Sequence, residues 1–203
     1  MDAALLQPPE LISQKQIAEK PCPIPKLPGV YALYFDEIPP GVPTDGCVRL
    51  SGFTLLYVGI APKAPPTNGR KASAAHLQQR VTYHFRGNAA GSTLRLTLGC
   101  LLADRLGIQL RRVGNGRTRT FTNPGEQRLD AWMADHARVV WVATDRPWQL
   151  ETELIGDLSL PLNVAGNARH PYCATLKVIR SEAKAAATMM PIAERGGPRR
   201  LKP

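Results

Sequence analysis

Apolar and polar positions along this chain repeat with two different periods, and the switches between them mark out its elements. Residues 30–35 (Val-Tyr-Ala-Leu-Tyr-Phe) and 54–60 (Thr-Leu-Leu-Tyr-Val-Gly-Ile) are β-branched and aromatic runs of strand length, and so is the apolar run 139–143. Residues 76–85 carry Leu77, Val81 and Phe85 at i, i+4 and i+8, the spacing of a helix with one buried face. Residues 93–106 read as a second helix, with Ser92 as its N-cap and Gly107 as its stop. Residues 108–113 and 117–122 flank Gly114-Asn115-Gly116 and predict a hairpin. Asn123-Pro124-Gly125-Glu126 opens a further helix that reaches about His136, and residues 147–158 and 174–187 supply two more.

The stretches between these elements are rich in proline and glycine. Residues 1–28 read as a lead-in: a helical turn at 14–19, then Pro21, Pro23, Pro25 and Pro28 holding the backbone extended. Residues 36–53 form a long Pro/Gly-rich insertion between the first two strands. Residues 191–203 are a basic tail expected to be disordered. The pattern therefore predicts one α/β (α+β) domain over residues 29–190. Its core would be a short, mixed or antiparallel three-stranded central sheet flanked by helices, with an added basic β-hairpin.

One helix departs from its own pattern. On a wheel of 3.6 residues per turn, Trp148, Leu150, Leu154, Ile155 and Leu158 form one apolar arc, and Glu151 falls inside it. Glu153 points to the wet side. A carboxylate held against a core costs several kcal/mol unless a cation, a donor or a water-filled cleft compensates it. Two readings follow: a buried ion pair with an arginine, or a metal ligand or catalytic acid at the floor of a cleft.

Charge narrows the class of partner. Residues 1–60 hold four Lys/Arg against six Asp/Glu, whereas residues 61–203 hold twenty-two against ten. Most of those cations are arginine, whose fork of donors suits phosphate oxygens. A basic body of this kind attracts polyanions, so nucleic acid is favoured over a merely soluble charged surface. Cys22, Cys47, Cys100 and Cys173 are far apart, with no C-x-x-C pair, so a zinc site is not expected. No run of eighteen apolar residues and no secretory signal is visible. The expectation is a cytoplasmic protein without a membrane partner.

Several polar groups fall in a telling order. The first strand opens with Gly29-Val30-Tyr31, and the second contains Tyr57-Val58-Gly59. Arg80 and His84 lie four residues apart on one helix face, at the edge of its apolar line. Glu151 precedes Leu154-Ile155, and Asn163 follows inside Pro161-Leu162-Asn163. This ordered set, G-V-Y … Y-V-G … R-x-x-x-H … E-x-x-L-I … P-x-N, resembles the GIY-YIG nuclease superfamily, and most nearly the branch that includes type II restriction endonucleases. It departs from the family in having valine in both name motifs and in placing the two tyrosines 26 positions apart.

The resemblance implies a metal-dependent endonuclease acting on DNA phosphodiester bonds, duplex or branched. It assigns the metal, Mg²⁺ with Mn²⁺ as a substitute, to Glu151. Arg80 would grip non-bridging oxygens, and Tyr31 would take the proton of the attacking water. Tyr57 would hold the phosphate or share that task, His84 would relay a proton or orient a tyrosine, and Asn163 would orient its neighbours or the phosphate. The alternative is a nucleic-acid-binding module with an inactive site, and behind it a partner-binding protein of incidental charge.

Further cations are candidates for DNA contact. Lys63, Arg70 and Lys71 lie in the loop after Tyr57-Val58-Gly59. Arg111, Arg112, Arg117 and Arg119 crowd the hairpin, which is either an arm for a major groove or a charged edge that resists aggregation. No second DNA-binding domain is visible, so target choice falls to loops, the hairpin, a homodimer or a partner protein.

Overall fold

The strand β2 (Gly29–Phe35) is buried along all seven residues, and the rest of the molecule is arranged about it. A computed structural model describes the chain except residues 1, 2, 67, 69, 70, 72, 198–200, 202 and 203. Side chains of β2 alternate between two faces. Tyr31, Leu33 and Phe35 join one core cluster, and Val30, Ala32 and Tyr34 join another. Burying each large apolar side chain here stabilises by about 1.5–3 kcal/mol.

On either side of β2 run β4 (Phe53–Ala61) and β7 (Ala137–Ala143), both antiparallel to it. Edge strands β1 (Ile12–Ser13) and β3 (Arg49–Leu50) complete a five-stranded sheet of order β1-β7-β2-β4-β3. The expected three strands are thus the middle of a wider sheet, and its four pairings are antiparallel rather than mixed. Two-residue edge strands are too short to show a period of two, which is why the sequence pattern did not reveal them. β3 comes from the Pro/Gly-rich insertion. Residues 1–28 fold onto the domain: β1 pairs with β7, and Leu5 of the short helix α1 (Ala3–Leu6) is fully buried, its carbonyl accepting the Tyr34 hydroxyl at 2.7 Å. The turn expected at 14–19 is α2 (Gln14–Ile17), closed by a Ser13–Gln16 capping box.

The register between β2 and β4 shifts between Leu33 and Tyr34. Leu33 faces Tyr57 and Tyr34 faces Leu55, so Leu56 is the extra residue of a bulge. Leu56 and Tyr57 consequently both pack toward the Tyr31 face.

That face is covered by α3 (Leu77–Arg86) and α6 (Thr122–His136), which bring Leu77, Val81, Phe85, Leu129 and Trp132 onto it. The opposite face is covered by α7 (Pro147–Asp157), whose Leu154 and Ile155 meet Val30, Ala32 and Tyr34. The expected helix over 93–106 divides at Leu102 into α4 (Thr93–Leu101) and α5 (Ala103–Leu106). It stops at Gly107, whose φ of 57° is the left-handed conformation that ends helices. A third, smaller cluster joins α4 to α8 (Tyr172–Met189) and to Leu110 and Phe121, which flank the hairpin β5 (Arg111–Val113) and β6 (Thr118–Thr120). In the part of the expected tail that is described, Ala193 N–H donates to Arg112 O at 2.8 Å and Asn123 N–H donates to Arg195 O at 2.6 Å; its residues 198–200, 202 and 203 lie outside the described residues. Among the described residues, no helix is long and apolar enough to cross a membrane.

Candidate active site

Four elements distant in sequence bring their polar side chains to one cleft. Tyr31 from β2, Tyr57 from β4, Arg80 from α3 and Glu151 from α7 line a cavity of about 600 Å³. Gly59 makes the approach of the two phenols possible. It pairs with Tyr31 in the sheet, and a Cβ there would lie 2.6 Å from Cζ of Tyr31 and 2.9 Å from Cε1 of Tyr57.

Arg80 and His84 occupy one flank of α3 beside its buried line of Leu77 and Val81. One guanidinium nitrogen of Arg80 donates to Gly91 O at 2.9 Å, which fixes the group at the rim of the cleft. His84 is fully buried behind Tyr31. Its Nε2 lies 2.5 Å from the Tyr31 hydroxyl and its Nδ1 lies 2.8 Å from Ser92 Oγ. Ser92 also caps α4, accepting from Arg95 N–H at 3.1 Å. The imidazole thus bridges two hydroxyls, and either tautomer satisfies both of its nitrogens.

Burial governs the electrostatics. It pushes the Tyr31 phenol well above 10.0, Tyr57 adds to the rise, and the Arg80 guanidinium opposes it. Tyr57 is raised by burial too, again opposed by Arg80. Burial holds His84 well below 6.5, and the positive charges of Arg80 and Arg95 act in the same direction, so it is neutral at physiological pH. Glu151 is half-buried and raised above the usual carboxylate range by burial, opposed by Lys63, which lines the same cleft.

Asn163 serves the site from below. Its amide accepts from Val58 N–H and donates to Val58 O, both at 2.9 Å, pinning the turn after α7 to β4 between Tyr57 and Gly59. Asn167 supports it, donating to Leu160 O at 2.8 Å and Asn163 O at 3.2 Å. With both ends of its amide on Val58, Asn163 holds the β4 backbone at the residue after Tyr57.

The family comparison bears directly on this cleft. The family model described as GIY-YIG catalytic domain matches residues 29–182. The chain belongs to the GIY-YIG family. Comparison with curated proteins and with solved structures gives no match. The matched span of the GIY-YIG domain begins at the glycine of Gly29-Val30-Tyr31 and reaches into α8.

The remaining sequence candidates of this GIY-YIG chain are dispersed. Lys71 is exposed in the loop before α3, and Arg70 lies outside the described residues. Most of the hairpin arginines are engaged with the end of α8 and the residues after it. Arg112 donates to Ala187 O at 3.2 Å and Met190 O at 2.8 Å, Arg119 to Thr188 Oγ1 at 3.1 Å, and Arg111 to Pro191 O at 3.1 Å. At the tip, Arg117 N–H donates to Asn115 Oδ1 at 3.2 Å.

Two groups escaped the sequence reading. Thr93, Lys177 and Arg180 line a cavity of about 390 Å³ that adjoins the cleft. Arg95 and Glu126 are fully buried as an ion pair of 2.7 Å, and Asp130 joins Arg95 at 2.8 Å. Arg95 also donates to His84 O at 2.9 Å, tying α4 to the end of α3. The signal for this pair was present: Arg95 interrupts the apolar run Leu94-Arg95-Leu96, the same kind of misplaced charge as Glu151.

Proposed function

We propose that this chain is a metal-dependent endonuclease that hydrolyses DNA phosphodiester bonds in the cleft between α3 and α7. The observation that carries this reading is the meeting of Tyr31, Tyr57, Arg80 and Glu151 around one cavity. A phosphodiester needs an activated water, charge relief on its oxygens and help for the departing oxygen. The four groups offer a proton acceptor, a phosphate-gripping guanidinium and an anionic oxygen ligand.

The residues fit a hard divalent cation. Glu151 is a carboxylate that burial disfavours in its charged form, with Lys63 opposing. A positive ion beside it removes that penalty. Among the described residues no group of three or more His, Cys, Asp or Glu converges. Glu151 would therefore hold the ion with waters completing its shell, the habit of Mg²⁺, and Mn²⁺ would substitute. When bound, such an ion neutralises charge on the phosphoryl and departing oxygens.

The chain's own groups do the rest. Arg80 takes the non-bridging oxygens in its fork. Tyr31 accepts a proton from the attacking water as its own proton moves to His84 Nε2. The new bond joins the water oxygen to phosphorus, and the bond to the departing oxygen breaks. Because its pKa is raised, Tyr31 stays protonated at neutral pH and can act as a base only if its proton leaves in this way. Arg80 and Arg95 disfavour a lasting imidazolium, so His84 returns its proton to Tyr31 as the phenol releases the water-derived proton to solvent, and the departing oxygen takes a proton from solvent water. Tyr57, with the Thr93 hydroxyl beside it, steadies the phosphate.

The test is supercoiled plasmid incubated with purified protein, with Mg²⁺ or with a chelator. The expected result is nicked or linear product only with the metal. Glu151→Gln and Arg80→Ala should each cut about 10²–10³-fold more slowly while still binding DNA. A wild-type protein that binds plasmid yet leaves it intact with Mg²⁺ and with Mn²⁺ overturns the reading.

A further inference from the structure

The cleft does not end at Glu151. The cavity of about 390 Å³ on its other side is bounded by Lys177 and Arg180 of α8, with Thr93 of α4 and Asn163 below. The two cavities share Tyr57, Thr93, Glu151 and Ala165, so they form one continuous groove. Lys63 and Arg80 line one end, and Lys177 and Arg180 line the other. Glu151 is the single acidic side chain among the residues lining either half.

Lys177 and Arg180 lie three residues apart, on one face of α8. Neither has an ion-pair or hydrogen-bond partner among the described residues. Lys177 is exposed and Arg180 half-buried, and both line the groove. Unneutralised cations beside threonine hydroxyls make a seat for an anion, not for an apolar group. A polymer with a negative charge at every repeat is the ligand such a groove fits along its length.

We propose that Lys177 and Arg180 form a second phosphate seat, which holds a phosphodiester of the cut strand on the far side of Glu151 from Lys63. The proposal rests on the nuclease reading above. It defines a path for the strand: in past Lys63, over Arg80 and Glu151, and out between α4 and α8. The seat contributes affinity and register, and leaves the bond-breaking step to the groups already described.

The test measures binding without cleavage. Wild-type protein in chelator is titrated against a fluorescent duplex of arbitrary sequence, and against one of its single strands, over a range of KCl. The Lys177→Gln/Arg180→Gln double variant should raise Kd about tenfold at the lower salt and flatten the salt slope by about 1–2. Lys177→Arg should keep both values. Lys15→Gln/Lys20→Gln removes the same charge from the acidic end and should change the slope little. With Mg²⁺, plasmid cleavage by the α8 double variant should show raised KM and nearly unchanged kcat. Thermal unfolding checks that each variant is folded.

The outcomes separate the two claims. Wild type that binds and cuts, beside an α8 variant with unchanged affinity and slope, overturns the seat and leaves the nuclease reading standing. A slope change matched by the Lys15/Lys20 control reduces the effect to net charge and also overturns the seat. Wild type that binds with the predicted α8 effect but never cuts supports the seat and overturns the nuclease reading. Wild type that binds neither duplex nor single strand overturns both.

Discussion

The hydroxyl of Tyr31 and Nε2 of His84 lie 2.5 Å apart in a fully buried pair, with Ser92 Oγ on the far nitrogen of the ring. The contact has a consequence for stability as well as for the proposed proton transfer. His84 is held neutral well below its ordinary value of 6.5. Under mild acid the unfolded chain binds a proton at this position and the folded chain does not. Stability should therefore fall as pH drops below 6.5, with a slope of up to about 1.4 kcal/mol per pH unit from this group. Urea midpoints between neutral pH and mild acid should show that decline in wild type and a shallower one in His84→Asn. Parallel declines in the two proteins would show that His84 is not the group responsible.

Glu151 should cost stability where it serves chemistry. Its folded pKa is raised, so the unfolded chain loses the proton first as pH rises through 4.5. The penalty is complete above the folded value and absent in acid. Glu151→Gln should thus raise Tm on the order of 1–2 °C at neutral pH, a modest gain because the group is half exposed. At acid pH the gain should vanish, and cleavage should stay about 10²–10³-fold slower throughout. Scanning calorimetry at both pH values checks the sign; a lower Tm at neutral pH would contradict it.

Gly59 should tolerate no side chain. Alanine there places a methyl 2.6 Å from Cζ of Tyr31, which must move and lose its register on His84. Gly59→Ala is expected to cost about 1–3 kcal/mol and to lower the cleavage rate far more than that loss of folded protein accounts for. Rates normalised to the folded fraction decide it. Unimpaired turnover would remove the Tyr31–His84 contact from the mechanism.

Arg95 should be among the most sensitive positions outside the cleft. Removing it strands Glu126 with its charge buried, and Glu126 cannot turn to solvent because Oε1 also takes Ala89 N–H at 2.8 Å and Phe121 N–H at 3.2 Å. Arg95→Ala should cost about 3–5 kcal/mol. Denaturant unfolding reads this directly, and a loss under about 1 kcal/mol would mean that the pair is not desolvated as the burial implies.

Much of this architecture was legible because its elements are long or strongly periodic. The buried run of β2, the i, i+4, i+8 line of α3 and the apolar arc of α7 each follow from spacing alone. Glu151 was legible for the opposite reason, as a charge where the pattern called for an apolar residue. The edge strands β1 and β3 carry no such signature, since two residues cannot display a period. Lys177 and Arg180 were invisible in another way: on an exposed helix face a cation is ordinary, and only the packing of α8 against α4 turns that face toward Glu151. The hairpin arginines show the reverse. Their density suggests either a binding arm or a charged edge, and three of the four carry hydrogen bonds to the end of α8 and its exit, a partner more than sixty residues away in sequence.

That attachment makes the β5–β6 hairpin a buttress. It braces the last turn of α8, and α8 is one wall of the channel through which substrate would leave. Shortening or excising the hairpin would slacken that wall while leaving the phenols and the carboxylate in place. On the proposed nuclease reading, a protein altered there would still sever bonds, but with a looser hold on what it cuts.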